Sequence, residues 1–250
     1  MTVPDPHALP LDPLYLATTS LTTWDGSRVM TSASGFFFER EGRLYLVTSR
    51  HVVFDEATGH RPNRLDVVVH THRQDLTRYV NYAIPLYAGG MATWRQGQDG
   101  GGDIDVAVIP IDRACLPAQA VYVAFTPAHL TPSFASVPAD ATLRIAGFPL
   151  GFRDTVHQLP VLRQAAVASP YGIRFQGKGL FLTDARTHRG TSGAPVVMRQ
   201  TDGADPTLPW WLLGVHSARM DMGNRDREQD ESLGLNSAWY AQILMTLTEG

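Results

Sequence analysis

Residues 189–197, Arg-Gly-Thr-Ser-Gly-Ala-Pro-Val-Val, set a serine among glycines and lead straight into an apolar strand. When a hydroxyl attacks an amide carbonyl, negative charge develops on the carbonyl oxygen. Fixed backbone N–H groups stabilise that charge well because they need no reorganisation. Gly190 and Ser192 can supply such a pair. Gly190 has no Cβ and can enter turn conformations that other residues resist, and Gly193 permits close approach behind Ser192. Taken alone, the stretch also reads as a polar turn between two strands.

Two other segments decide between these readings. Residues 44–53, LYLVTSRHVV, form an apolar run that becomes polar at Ser49 and Arg50, just before His51. A histidine where a buried strand gives way to a loop is rigidly held yet open to a cleft, which suits a proton shuttle titrating near neutrality. Residues 103–112, DIDVAVIPID, place Asp105 at the mouth of an apolar strand. Asp103 competes for the same role, but Asp105 abuts the strand directly and is expected to be the more buried. A serine attacks poorly until a histidine takes its proton and a carboxylate holds that histidine in the right tautomer. His51, Asp105 and Ser192 can make such a relay.

The order His, Asp, Ser with a G-x-S-G-x-P turn resembles the chymotrypsin-like (trypsin-like) serine peptidases, in particular compact bacterial members without disulfides. The likeness runs from about residue 14 to the C-terminus. Ser34-Gly35-Phe36, Ala146-Gly147-Phe148-Pro149 and Leu213-Gly214-Val215-His216-Ser217 support it. The resemblance implies two packed antiparallel six-stranded β-barrels with the catalytic groups in the cleft between them. It implies a serine endopeptidase with His51, Asp105 and Ser192 as triad, Gly190 and Ser192 as oxyanion hole, and Ser217 supporting Asp105. In the digestive members an aspartate before the nucleophile pairs with a freed N-terminus; Thr191 stands there, so no zymogen switch of that kind is expected.

The rest of the chain agrees with an all-β fold. Its 250 residues, 44% hydrophobic, can fill a substantial core. Short β-rich runs between turn-formers are expected at 14–21, 35–39, 44–48, 65–71, 80–86 and 104–109. A second set follows at 143–147, 161–167, 180–183, 196–198 and 210–216. Pro110 to Asp140, with five prolines, reads as the crossing between barrels. The expected organisation is an N-terminal extension (1–13), a first barrel (14–125), a second barrel (126–235) and a C-terminal α-helix (236–250). That helix is read from Asn236 as cap and the spacing of Trp239, Ile243, Leu244 and Leu247.

By the same resemblance, Arg186 lies at the base of a specificity pocket, Thr187 on its wall, and His216, Ser217 and Arg219 along its side. Thr187 with His216 is similar to the pair in glutamyl endopeptidases that grips an acidic side chain, and viral relatives use such a pair for glutamine. A preference for Glu, Asp or Gln before the scissile bond is expected, since a hydroxyl and an imidazole can donate to a carboxylate or amide oxygen. Glycine-rich 88–102 and charged 219–231 read as surface loops.

Other functions find little support. A net charge of -3 gives no basic footprint for nucleic acid, and no segment is long and apolar enough to span a membrane. Residues 1–13 lack a basic region followed by an apolar stretch, so a cytoplasmic location is expected. Cys115 is alone, so no internal disulfide is expected. His70-Thr71-His72 puts two histidines on one side of a strand, but no third ligand follows, so neither metal nor cofactor is expected. The expected partner is a polypeptide substrate; no segment names a regulatory one. The same residues would serve an esterase, and a silent double barrel that only holds peptides is the reading from a different class.

Overall fold

The computed structural model describes residues 11–201, 205–220 and 233–250. A single helical turn, Leu14–Ala17, leads into β1 (Thr18–Asp25), β2 (Arg28–Arg40), β3 (Arg43–Thr48), β4 (Arg64–His70), β5 (Tyr79–Pro85) and β6 (Ala107–Ile111). These pair in the order β6-β3-β2-β1-β4-β5. The second sheet comprises β7 (Thr142–Gly147), β8 (Val161–Ala166), β9 (Leu180–Thr183), β10 (Pro195–Arg199), β11 (Trp210–Arg219) and β12 (Asn236–Tyr240), in the order β8-β7-β10-β11-β12-β9. Both sheets are antiparallel and form the double barrel expected from the sequence.

The period of two along the strands explains how one chain fills three apolar layers. On β2, Phe37 points into the first barrel with Leu21, Leu46, Leu65 and Val67. Its neighbours Phe36 and Phe38 point the other way, into a seam shared by both barrels with Tyr45, Phe125, Val197, Leu212 and Trp239. Leu143, Ile145, Phe181, Val196 and Leu213 fill the second barrel. Strands buried on both faces read as continuous apolar runs, as Phe36-Phe37-Phe38 does. The seam fixes the barrels against each other and so fixes the distance between residues carried by β3 and by the turn before β10.

The strand expected from residue 14 begins only at Thr18, and that expected from 104 only at Ala107. The C-terminal helix is shorter than expected: Asn236–Tyr240 is strand β12, and only Ile243–Leu247 is helical. β12 lies between β11 and β9 with all five residues buried. A strand covered on both faces has no polar alternation to betray it, and Trp239 happens to stand at helical spacing from the true helix. Most of the N-terminal extension and most of the charged 219–231 loop lie outside the described residues. No helix among the described residues is long and apolar enough to cross a membrane.

Candidate functional site

β3 and β6 are antiparallel neighbours, with Thr48 opposite Ala107. The end of one therefore meets the start of the other, which brings His51, on the single helical turn Arg50–Val53, to Asp105 just before β6. Asp105 Oδ2 lies 2.8 Å from His51 Nδ1, and Oδ1 accepts the His51 backbone N–H at 2.8 Å. Ser217 of β11 donates its hydroxyl to Oδ2 at 2.5 Å, the contact that the resemblance implied. A carboxylate accepting from Nδ1–H leaves Nε2 as the basic nitrogen. Burial lowers the affinity of His51 for a proton, but the hydrogen bond and charge of Asp105, with the field of Asp55, outweigh it and raise the pKa above 6.5. The competing Asp103 is a surface residue, hydrogen-bonded by Gln98 at 2.7 Å and near Arg50 at 3.5 Å.

Ser192 lies across a cleft of about 610 Å³ that His51 also lines. Its hydroxyl donates to Ser217 O at 3.1 Å. In the surrounding turn, Thr191 N–H donates to His188 O and Gly193 N–H to His216 O. Gly190 and Ser192 N–H have no protein acceptor among the described residues. Gly190 has φ +91°, and a Cβ there would sit 2.5 Å from Phe148 O; Gly193 has φ +85°, and its Cβ would fall onto Ser34 O and Thr48 Oγ1. Both positions are thus restricted to glycine by backbone conformation and by space.

The turn is held from the first barrel by Ser34, which the sequence marked only as part of a supporting motif. Its hydroxyl, fully buried, donates to Gly190 O at 2.7 Å and accepts from Phe148 N–H at 3.0 Å. Its own N–H donates to Ser192 O at 2.9 Å. Leu150, at φ +55°, adds an N–H bond to Arg189 O at 2.5 Å. The Arg189 carbonyl is thereby turned toward the Phe148–Gly151 loop, and across the trans peptide the Gly190 N–H faces the opposite way. In the letters Ser34 is one of three hydroxyl residues in Thr31-Ser32-Ala33-Ser34, so nothing local sets it apart.

A separate hollow of about 460 Å³ is lined by Arg186, Thr187, Arg219 and Asn236. Asn236, read from sequence as a helix cap, is instead buried at its floor. Its amide N–H groups donate to Ala185 O at 2.5 Å and Thr183 O at 3.4 Å, so its Oδ1 must accept, and Thr187 Oγ1 donates to it at 2.5 Å. The Thr187 hydroxyl hydrogen is therefore already committed.

His216 does not line this hollow among the described residues. It is 2% exposed, with Nδ1 buried and unpartnered. Desolvation, then the charge of His51, drives its pKa down to about 4 despite Asp105. Its backbone is structural: the N–H donates to Ala194 O at 2.9 Å, and the carbonyl accepts from Gly193 N–H at 2.8 Å and Ser49 Oγ at 3.0 Å. Between pH 4 and 6.5 the unfolded chain protonates this imidazole and the folded one does not, so stability rises with pH and is lost on acidification. The expected loss across that window is about 3 kcal/mol, read as a falling melting temperature that is blunted in His216→Gln.

Other histidines are committed elsewhere. His70 Nε2 bonds His157 O at 2.7 Å, and His72 Nδ1 accepts from Asp75 N–H at 2.9 Å. His188 turns its carbonyl to Thr191 and lines the Thr187 hollow.

The family model for the trypsin-like peptidase domain matches residues 33–203, a span that holds His51, Asp105 and Ser192. No curated protein matches the chain significantly. Among solved structures, the serine endoprotease from Yersinia pestis superposes with a TM-score of 0.53 at 16% identity, covering 98% of this chain and 66% of that one. At that identity the likeness is one of fold.

Proposed function

Because the chain belongs to the trypsin-like peptidase domain family, we propose that it is a serine endopeptidase working through an acyl-enzyme, with Ser192 as nucleophile, His51 as base and then acid, and Asp105 as orienter. The observation that carries this is the carboxylate of Asp105, which accepts from His51 Nδ1, His51 N–H and Ser217 at once. A module that only held peptides would have no use for a carboxylate so fully committed to orienting a histidine. In the proposed reaction Ser192 Oγ turns from Ser217 O toward His51 Nε2, loses its proton there and attacks the carbonyl carbon. The free N–H groups of Gly190 and Ser192 receive the oxyanion. His51 then gives the proton to the leaving nitrogen, and water repeats the sequence on the ester.

Among Glu, Asp and Gln, glutamine suits the Thr187 hollow best as the residue before the scissile bond. With its hydrogen held by Asn236, Thr187 Oγ1 offers lone pairs, which an amide N–H can satisfy and a carboxylate cannot. The amide oxygen can meanwhile accept from the arginines that line the hollow. His216, neutral and buried, adds no charge.

The test is a fluorophosphonate probe on the full chain, without N-terminal trimming, read by intact mass and peptide mapping, followed by cleavage of matched peptides. Label on Ser192 alone and turnover in the order Gln, Glu, Ala are expected. A folded protein that takes no label contradicts the peptidase reading. Equal cleavage after all three residues contradicts only the preference.

A further inference from the structure

The cleft shared by His51 and Ser192 is walled by the Thr31–Ala33 edge of β2, by Asp55 and His60 beyond His51, and by Gly190. The Thr187 hollow is distinct from it and has none of these residues in its lining. The chemistry proposed above assigns a substrate segment to this cleft. When the tetrahedral intermediate collapses, the C–N bond breaks and the nitrogen takes its proton from His51. The departing chain must therefore leave on the side of His51, into the space that Asp55 borders.

Asp55 is placed to read charge there. Its Oδ1 accepts from Ala57 N–H at 3.2 Å and its Oδ2 from the Thr58 hydroxyl at 2.6 Å, which fixes the carboxylate and leaves lone pairs over. No salt bridge to a cation of this chain occupies it among the described residues. It follows His51 by four residues and acts on that imidazole through space. We infer that Asp55 recognises a basic side chain, lysine or arginine, on the residue directly after the scissile bond. This rests on the peptidase reading and adds to it a class of leaving group.

Two other titratable or charged groups border the same cleft. His60 is tied through Nε2 to Val52 O at 2.9 Å. Arg189 lines it too, next to Gly190 in the turn that carries Ser192, and would favour an acidic residue. The side chain next to the leaving nitrogen starts beside His51, and Asp55 belongs to that wall, so Asp55 prevails for this residue.

The experiment runs the leaving-group step backwards. The full-length enzyme is acylated by p-nitrophenyl acetate, and argininamide, leucinamide or glutamic acid α-amide is added at equal concentration. The amine attacks the acyl carbon, the Ser192 Oγ–C bond breaks, and His51 passes the amine proton to Oγ. The ratio of acetylated amide to acetate, by mass spectrometry, reports how well each amine occupies the cleft. Argininamide should be captured about fivefold better than leucinamide, the upper range for a partly exposed ion pair. The ratio should fall to about one in Asp55→Asn, and Asp55→Lys should favour glutamic acid α-amide instead. A wild-type ratio of one, or a ratio that Asp55→Asn leaves unchanged, overturns the inference. Wild-type preference for glutamic acid α-amide also overturns it and makes Arg189 the reader. If the ester is not turned over and Ser192 takes no fluorophosphonate, the peptidase reading fails and the inference falls with it; turnover without arginine preference removes the inference alone.

Discussion

Asp105→Asn should cut kcat at neutral pH by about 10⁴ while leaving the protein folded. The carboxylate holds Nδ1 as the protonated nitrogen of His51 and so keeps Nε2 basic. An asparagine can present its amide N–H to Nδ1 instead, which moves the ring proton to Nε2, where it cannot accept from Ser192. The amide oxygen, at the position of Asp105 Oδ1, can still accept the His51 backbone N–H, and the second amide hydrogen can donate to the Ser217 hydroxyl, so the loss is of chemistry and not of packing. The pH profile supplies the sign. In the parent, Asp105 raises the His51 pKa, so activity requires deprotonation above 6.5 and grows with pH through that ionisation. In Asp105→Asn the raising charge is gone, and the remaining activity should reach its plateau at lower pH. A loss under tenfold, or an unshifted profile, would show that the His51–Asp105 contact has no part in turnover.

The second large effect is expected at Ser34→Ala, a residue that touches no substrate. Removing the hydroxyl strips Gly190 O and Phe148 N–H of their partner in a fully buried site. Each orphaned group costs about 1–3 kcal/mol, and the turn can regain partners only by moving. Because that turn carries both proposed oxyanion donors, the cost should fall on the transition state, and kcat should drop by about 10 to 10² with KM changed little. Affinity for a peptide aldehyde, whose adduct places an oxygen in the same position, should fall in parallel. Ser34→Cys, with a weaker donor, should sit between parent and alanine. If Ser34→Ala lowers the melting temperature but keeps kcat and aldehyde affinity, Ser34 merely stabilises the fold.

How these residues became visible differs from one to another. His51 and Asp105 stand where apolar runs stop, and that boundary is written in adjacent letters; β3 and β6 then pair as short apolar strands must, and the two side chains meet. Ser192 is marked by Gly190 and Gly193, whose backbone demands are local. Asn236 reads as a helix cap because Trp239, Ile243, Leu244 and Leu247 carry a helical spacing, while burial on both faces erases the alternation that would announce β12. Ser34 carries no local mark of its role, since its partner Gly190 lies 156 residues away.

The placing of His51 and Asp105 at strand ends, of Ser192 on a glycine turn, and the double-sheet class therefore follow from local patterns: strand ends, turn glycines, and the run of apolar segments between prolines. The orientation of the Gly190–Gly193 turn, the burial of His216, the direction of the Thr187 hydroxyl and the wall formed by Asp55 do not. Each depends on groups brought together when the aromatic seam locks one barrel against the other. Secondary-structure preferences act over a few residues and leave a trace in the letters. Hydrogen bonds and desolvation between distant segments exist only once packing has chosen which surfaces meet.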